Sequence, residues 1–238
     1  MSLAFLFPGQ GSQTVGMGQE LAERHAVVAD TFAEAERISG LPLRALCAEG
    51  PAETLQQTRN AQLALLTVST GIARLLYAHG LRPTHAAGHS LGEYSALVAA
   101  EAMPFATAVE LVKRRGELMA EAGAREPGTM AAILGLDAET LAAVCAATEG
   151  VVAIANLNSP DQIVISGSPA AVAAASEAAV AAGAKRAIAL NVSGAFHSPL
   201  MTEPARGFGP VLAAAAYADP ALTVVANLDA KAYVGAFE

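Results

Sequence analysis

Apolar and polar residues recur along this chain with two different periods, and the changes between them outline its elements. Residues 3–7 are a short apolar run that predicts a buried strand, followed by a Gly/Gln/Ser loop, FPGQGSQ, at 7–13. A helical pattern begins near Gly16. From Asn60, read as an N-cap, to Ala78, with Gly80 just past the end, the chain is apolar almost all round, which predicts a long central helix. Residues 83–88 are small and apolar and predict a strand that feeds GHSLG at 88–92 and then a helix to about Ala100. A further helix is expected from near Pro104, a favoured first-turn residue, to near Gly123.

The rhythm then changes. Strand 129–135, helix 138–147, strand 151–156, strand 162–166, helix 168–182 and strand 185–190 give the order βαββαβ, a ferredoxin-like arrangement. Asn158, Ser159, Pro160 and Asp161 supply the turn between the middle strands, and Ser168 before Pro169 marks a helix start. Ser198 and Pro199 read as N-cap and first residue of a helix reaching about Tyr217, and 222–226 as a return strand. The expected fold is α/β: a large domain with a parallel-sheet core at 1–126 and 191–238, with a small ferredoxin-like subdomain inserted at 127–190. No internal repeat is evident.

Composition narrows the function classes. Of 238 residues 53% are hydrophobic and 15% charged, enough apolar material for a sizeable core, which excludes a disordered chain. A formal net charge of −8 without a long basic run argues against nucleic acid or an anionic membrane as partner. The two cysteines, Cys47 and Cys145, form neither a CxxC nor a Cys/His cluster, so no disulfide framework or metal is expected, and a reducing cytoplasm fits. The first residues lack a basic segment and run straight into Pro8, unlike a signal peptide. The Ala-rich stretch 170–184, interrupted by Ser176 and Glu177, predicts no transmembrane helix.

Candidate chemistry centres on Gly88, His89, Ser90, Leu91 and Gly92, a G-x-S-x-G between a predicted strand and helix. Glycines on both sides let the chain turn sharply and lift the serine hydroxyl. The helix N-terminus favours developing negative charge, and the Leu91 amide is placed to donate to an oxyanion. Of five histidines, His25 and His79 fall near helix ends, His85 at the entry of a strand, and His89 beside Ser90, where neighbouring side chains diverge. His197, in SGAFHSPLM, is the remaining candidate base. Arg115 has Leu111, Val112, Leu118 and Met119 at helical spacing and therefore points inward. Such a guanidinium calls for a carboxylate, either a structural Asp/Glu or a ligand. Lys113 and Arg114 have Glu110 or Glu117 within helical reach and read as a solvated face. The loop at 8–13 follows the first strand, where α/β sheets place ligands, but lacks the spacing of a nucleotide loop.

Taken together, FPGQGSQ, GHSLGEYSAL, the RRG that contains Arg115, NSPDQIVISG and AFHSPLM resemble, in order and spacing, the malonyl-CoA:acyl carrier protein transacylase family over essentially the whole chain. The resemblance implies an α/β-hydrolase-like large domain with a ferredoxin-like insert. It implies Ser90 as nucleophile, His197 as its base, Gln10 and Leu91 as oxyanion-hole amides, and Arg115 as binder of the malonyl carboxylate. Gln162, Met119 and Phe196 are implied as further substrate-binding residues, and Ala195 with Phe196 as malonyl-selecting. Malonyl-CoA and a phosphopantetheinylated acyl carrier protein are the implied substrates, without a cofactor, in fatty acid biosynthesis, and the reaction is ping-pong. Family members usually continue beyond the point matching Glu238, and the carbonyl that commonly orients the histidine lies in that part. A short form, with exposed apolar surface and self-association in place of a monomer, is the corresponding expectation.

Three other readings stay open at this stage, one of them a catalytically silent fragment that only binds CoA thioesters or a carrier protein. A serine esterase would need an acid, for which Asp137 or Asp161 is nominally available, but would have no use for Arg115. A relative serving polyketide synthesis or malonate decarboxylation would share every site residue. An acidic carrier protein would also need a local basic patch, for which Lys113, Arg114, Lys185 and Arg186 are the candidates.

Overall fold

A computed structural model describes residues 2–233; Met1 and residues 234–238, the ends of the expected large domain, lie outside the described residues. The chain divides into two compact units, Met1–Gly116 with Val211–Glu238, and Glu117–Pro210.

The first unit opens with β1 (Ala4–Phe7), then α1 (Gln19–Arg24), α2 (Ala26–Ser39), α3 (Leu43–Glu49), α4 (Ala52–Gln56), α5 (Thr58–Ala78), β2 (His85–Gly88), α6 (Gly92–Ala99) and the start of α7 (Phe105–Arg125). The strand at 85–88 and helices α6 and α7 fall close to their predicted spans. The pattern near Gly16 becomes a helix only at Gln19, because Gly16 and Gly18 sit at φ 93° and 74° in the turn before it. Asn60 is not a cap: α5 begins two residues earlier, and the Asn60 side chain donates back to the Thr54 carbonyl at 2.8 Å. The α5 helix is long and apolar enough to cross a membrane by length and composition, yet most of it is buried in this unit as its core helix.

The second unit carries β3 (Thr129–Leu134), α8 (Ala138–Ala147), β4 (Val152–Ser159), β5 (Gln162–Gly167), α9 (Pro169–Ala181), β6 (Arg186–Ala189), a 3₁₀ turn at Pro199–Met201 and most of α10 (Thr202–Ala213). Its sheet has the order β4-β5-β3-β6, every pair antiparallel, which is the ferredoxin-like arrangement that the βαββαβ pattern predicts. Period-two alternation on β3 serves both faces. Ala131 and Ile133 join Leu141, Ile163, Ile165 and Val172 beneath the helices, while Met130 and Ala132 join Val164 and Phe196 on the other face. Asp137 caps α8 by accepting from the Thr140 amide at 2.9 Å, so the residue held open as an esterase acid has a local structural partner.

This unit is wider than the expected insert at 127–190. The segment after β6 packs on the end of α7: a Cβ added at Gly123 would lie 2.5 Å from the Ser193 carbonyl oxygen, and one at Gly128 2.4 Å from Ala195 Cβ. Residues 117–126 and 191–210 therefore belong with it. The helix expected to reach Tyr217 ends at Ala213.

The chain returns to the first unit with β7 (Thr223–Val225) and β8 (Ala232–Tyr233), the latter not anticipated. The sheet order is β1-β2-β7-β8, with β1, β2 and β7 parallel and β8 antiparallel at the edge. Phe5, Phe7, Ala86 and Val224 point to one face and pack on Ala73, Ala96, Ala99 and Ala100 of the helices. The alanines let helix and sheet approach closely, which is one structural use of the chain's Ala richness. Burial of a residue such as Phe32 on α2 contributes about 1.5–3 kcal/mol. On the opposite face Leu6 is 78% exposed, and Leu228, after β7, is 94% exposed.

Candidate functional site

In the first unit the strand β2 delivers Ser90 at its carboxyl end. Two glycines are required there. A Cβ at Gly88 would fall 2.0 Å from the Gly92 carbonyl carbon, and one at Gly92 2.2 Å from the Phe7 carbonyl oxygen. With those side chains absent, β1, β2 and α6 close on one another and the chain turns within a few residues. Ser90 itself sits at φ 50°, in the left-handed region, a conformation that costs a non-glycine residue on the order of 1–3 kcal/mol and is held by its surroundings. This is the strand, sharp turn and helix that GHSLG predicts.

The two amides proposed from sequence as oxyanion donors have no competing acceptor: among the described residues neither the Gln10 nor the Leu91 N–H makes a hydrogen bond. Gln10 is anchored through its side chain, whose Nε2 donates to Thr58 Oγ1 at 3.2 Å and whose Oε1 accepts from Gln62 Nε2 at 3.4 Å. The loop at 8–13 is thus tied to the buried helix α5.

Arg115 reaches the same place from α7. A Cβ at Gly116 would lie 2.9 Å from Arg59 Cα, so α7 and α5 touch closely there and Arg115 is set against α5. Its Nη1 donates to Gln62 Oε1 at 2.7 Å and its Nη2 to Ser90 Oγ at 3.1 Å. Among the described residues no carboxylate forms an ion pair with it, so the structural salt bridge that sequence reasoning left open is not made. Burial lowers the Arg115 pKa, opposed by Tyr94 and Glu93 nearby. A guanidinium nevertheless keeps its charge in proteins, and here it is fixed by a neutral amide. Burial also pushes the Tyr94 hydroxyl up to about 12, although the Arg115 charge acts in the opposite direction.

A further pair completes the turn. Asn227 Oδ1 accepts from the Ser90 amide at 2.9 Å, and Glu93 Oε1 accepts from the Asn227 amide at 2.8 Å. Of the other histidines of this unit, His89 lies against Gly9 of the 8–13 loop, where an added Cβ would be 2.7 Å from its Nδ1, and the rest fall elsewhere, as their sequence positions suggest. His25 and His79 are edge to face at helix ends, 6.3 Å between ring centroids, and His85, at the other end of β2, has Nδ1 2.8 Å from Thr84 Oγ1.

The second unit holds the other candidates. His197 is exposed and sits at φ 57°, the second non-glycine candidate in the left-handed region. Ser198 follows it, donating to the Ala195 carbonyl at 2.7 Å and accepting from the Leu200 amide at 3.2 Å, which shapes the turn carrying the histidine. Phe196 is buried with Met130, Ala132 and Val164, and Met119 packs on the same cluster. Gln162 is exposed at the start of β5, where its Oε1 accepts from Asn158 Nδ2 at 3.3 Å. Asp161 lies in the β4–β5 turn, its carbonyl accepting from the Gly135 amide at 2.9 Å. Among the described residues no group of three or more His, Cys, Asp or Glu side chains is arranged to hold a metal.

Sequence reasoning missed Gln62, Asn227 and Glu93. For Gln62 a signal existed, a glutamine within an otherwise apolar helix, and it is fully buried. For Asn227, 137 residues from Ser90, a single sequence carries no such mark.

The acyl transferase domain family matches residues 4–231. Over 231 residues the chain is 50% identical to the malonyl CoA-acyl carrier protein transacylase of Bacillus subtilis, covering 96% of this chain and 73% of that protein. The crystal structure of an acyl carrier protein S-malonyltransferase from Vibrio cholerae superposes with TM-score 0.92 at 45% identity, over 98% of this chain and 78% of that one. A malonyl-transacylase in complex with its type II polyketide acyl-carrier protein gives TM-score 0.93 at 44% identity, over 99% of this chain and 77% of that one. The chain therefore spans about three quarters of the length of these relatives. By family match, identity and fold, it belongs to the acyl transferase domain family and, within it, to the malonyl CoA-acyl carrier protein transacylases.

Proposed function

We propose that this chain moves a malonyl group from malonyl-CoA to the phosphopantetheine thiol of an acyl carrier protein, through a malonyl ester on Ser90, in the cytoplasm and in the service of fatty acid synthesis. The observation that carries the reading is the Arg115 fork, 3.1 Å from Ser90 Oγ and held by an amide instead of an acid. A carboxylate at the far end of a short acyl group attached to Ser90 would meet that charge; an acyl group without one would leave it unused.

In this reading Ser90 Oγ attacks the thioester carbonyl carbon while His197 takes its proton. The Gln10 and Leu91 amides receive the oxyanion, each contributing about 2.7–4 kcal/mol in the transition state. Collapse breaks the carbon–sulfur bond, and CoA leaves with the proton that His197 returns. The carrier thiol then gives its proton to His197, attacks the ester and regenerates Ser90. Gln162, Met119 and Phe196 are assigned to the substrate in the same scheme. The free backbone donors, the polar clamp on Arg115 and the kinship of the chain support it.

The test is transfer itself: malonyl-CoA with a carrier protein bearing its phosphopantetheine arm should give malonyl carrier, and the same carrier without the arm should give none. Release of free malonate as the dominant product in both cases would favour a hydrolase.

A further inference from the structure

We infer that Asn227, together with Glu93, is the positioning device of the nucleophile turn: it fixes the peptide planes on both sides of Ser90 and thereby aims the serine hydroxyl and the Leu91 amide. The inference rests on Ser90 being the nucleophile. Asn227 lies just past the carboxyl end of β7, the strand that pairs with β2. Its side-chain oxygen accepts from the Ser90 amide at 2.9 Å and so holds the His89–Ser90 peptide. The Ser90 carbonyl accepts from the Glu93 amide at 3.2 Å, which holds the next peptide, the one whose N–H belongs to Leu91. The Glu93 carboxylate in turn accepts from the Asn227 amide at 2.8 Å. Side chain to backbone in one direction and side chain to backbone in the other, the two residues form a reciprocal pair like a capping box, but between segments 134 residues apart.

The physical need is specific. Ser90 is held at φ 50°, and its amide is satisfied by a side chain, Asn227 Oδ1, and not by a helix or strand ladder. An acceptor supplied from the neighbouring strand removes the alternative of relaxing the peptide toward water. The turn around Asn227 is itself closed, with the Ala226 amide donating to the Lys231 carbonyl at 2.9 Å and the Ala230 amide to the Ala226 carbonyl at 3.0 Å. Asn227 is exposed, so its replacement should cost little stability compared with its effect on the turn.

The experiment compares Asn227→Ala, Asn227→Asp and Ser90→Ala with the parent chain. Three quantities are read: the rate of Ser90 acylation by saturating malonyl-CoA, the rate of labelling by a small fluorophosphonate, and the exchange rate of the Ser90 amide by NMR. Asn227→Ala is expected to slow both reactions about 10- to 100-fold at unchanged half-saturating malonyl-CoA, the scale of a misplaced reacting group. Its Ser90 amide should exchange at least about tenfold faster, as a lost local hydrogen bond requires. Asn227→Asp keeps the acceptor and should restore most of the rate and the protection. Unchanged exchange and labelling in Asn227→Ala would overturn the inference, as would equal losses in Ala and Asp variants. Labelling that persists in Ser90→Ala would instead refute the nucleophile. If the parent chain is labelled by neither reagent, amide exchange alone still decides the role of Asn227.

Discussion

Replacing Arg115 by alanine should separate malonyl from acetyl substrates. In the parent structure the guanidinium has two polar partners, Gln62 Oε1 at 2.7 Å and Ser90 Oγ at 3.1 Å, and among the described residues no acid forms an ion pair with it. A malonyl carboxylate would be its counter-charge. Truncating one member of a desolvated, hydrogen-bonded charge pair costs about 2–5 kcal/mol, which is a loss of about 30- to 5,000-fold in kcat/KM for malonyl-CoA. Acetyl-CoA makes no use of the charge, so its kcat/KM should stay within about threefold of the parent value or rise, because an acyl methyl would no longer have to sit beside a buried cation. Arg115→Lys keeps a charge but loses the fork that binds Gln62 and a carboxylate at once, and should fall between the two. The assay is stopped-flow or quenched acylation of the protein by each thioester, with thermal unfolding as a check on integrity. A parallel fall for malonyl- and acetyl-CoA would refute the assignment and make Arg115 a structural residue.

Four other outcomes are expected. Gly92→Ala should lower stability by about 3 kcal/mol or more in urea unfolding, because its Cβ would meet the Phe7 carbonyl oxygen at 2.2 Å. Gly209→Ala, in a helix with nothing within 4 Å of the added methyl, should instead raise it by about 0.5–1 kcal/mol. Burial raises Cys47 from 9.0 to about 12 and Tyr94 from 10.0 to about 12. The folded chain thus holds protons that the unfolded chain releases, and stability should fall as pH rises from 9 toward 12, by up to about 1.4 kcal/mol per pH unit per group. Cys47→Ala should flatten the lower part of that decline, and an unchanged slope would count against it. Charge reversal at Lys113 and Arg114, or separately at Lys185 and Arg186, should slow transfer to an acidic carrier while leaving acylation by malonyl-CoA intact; equal loss of both steps would dismiss the pair concerned from carrier docking.

What a single sequence discloses here depends on the range of the interaction. The helix at 138–147 is found at its predicted span because Asp137 caps it locally, and the small sheet follows from strand alternation, although the turn is only Pro160 and Asp161, since Asn158 and Ser159 extend β4. The turn at Ser90 was legible since both required glycines lie within two residues of it. Asn60 misled, because an asparagine ahead of an apolar run looks like a cap, whereas its amide is used against the preceding helix. The limits of the inserted unit were missed for a related reason: the packing of 193–195 against Gly123 and Gly128 is tertiary and leaves no compositional step. Arg115 stood out as an inward-pointing cation, but its partner did not. Gln62 is 53 residues away, and only the approach of α7 to α5 at Gly116 pairs them. Asn227 and Glu93 belong to the same class of long-range contact.

The most direct measurement is the intact mass of the chain after brief exposure to malonyl-CoA, followed by peptide mapping of the adduct. One malonyl group is expected, located on Ser90, absent in Ser90→Ala and discharged by a phosphopantetheine thiol. An adduct on any other residue, or malonyl transfer by Ser90→Ala, would contradict this expectation.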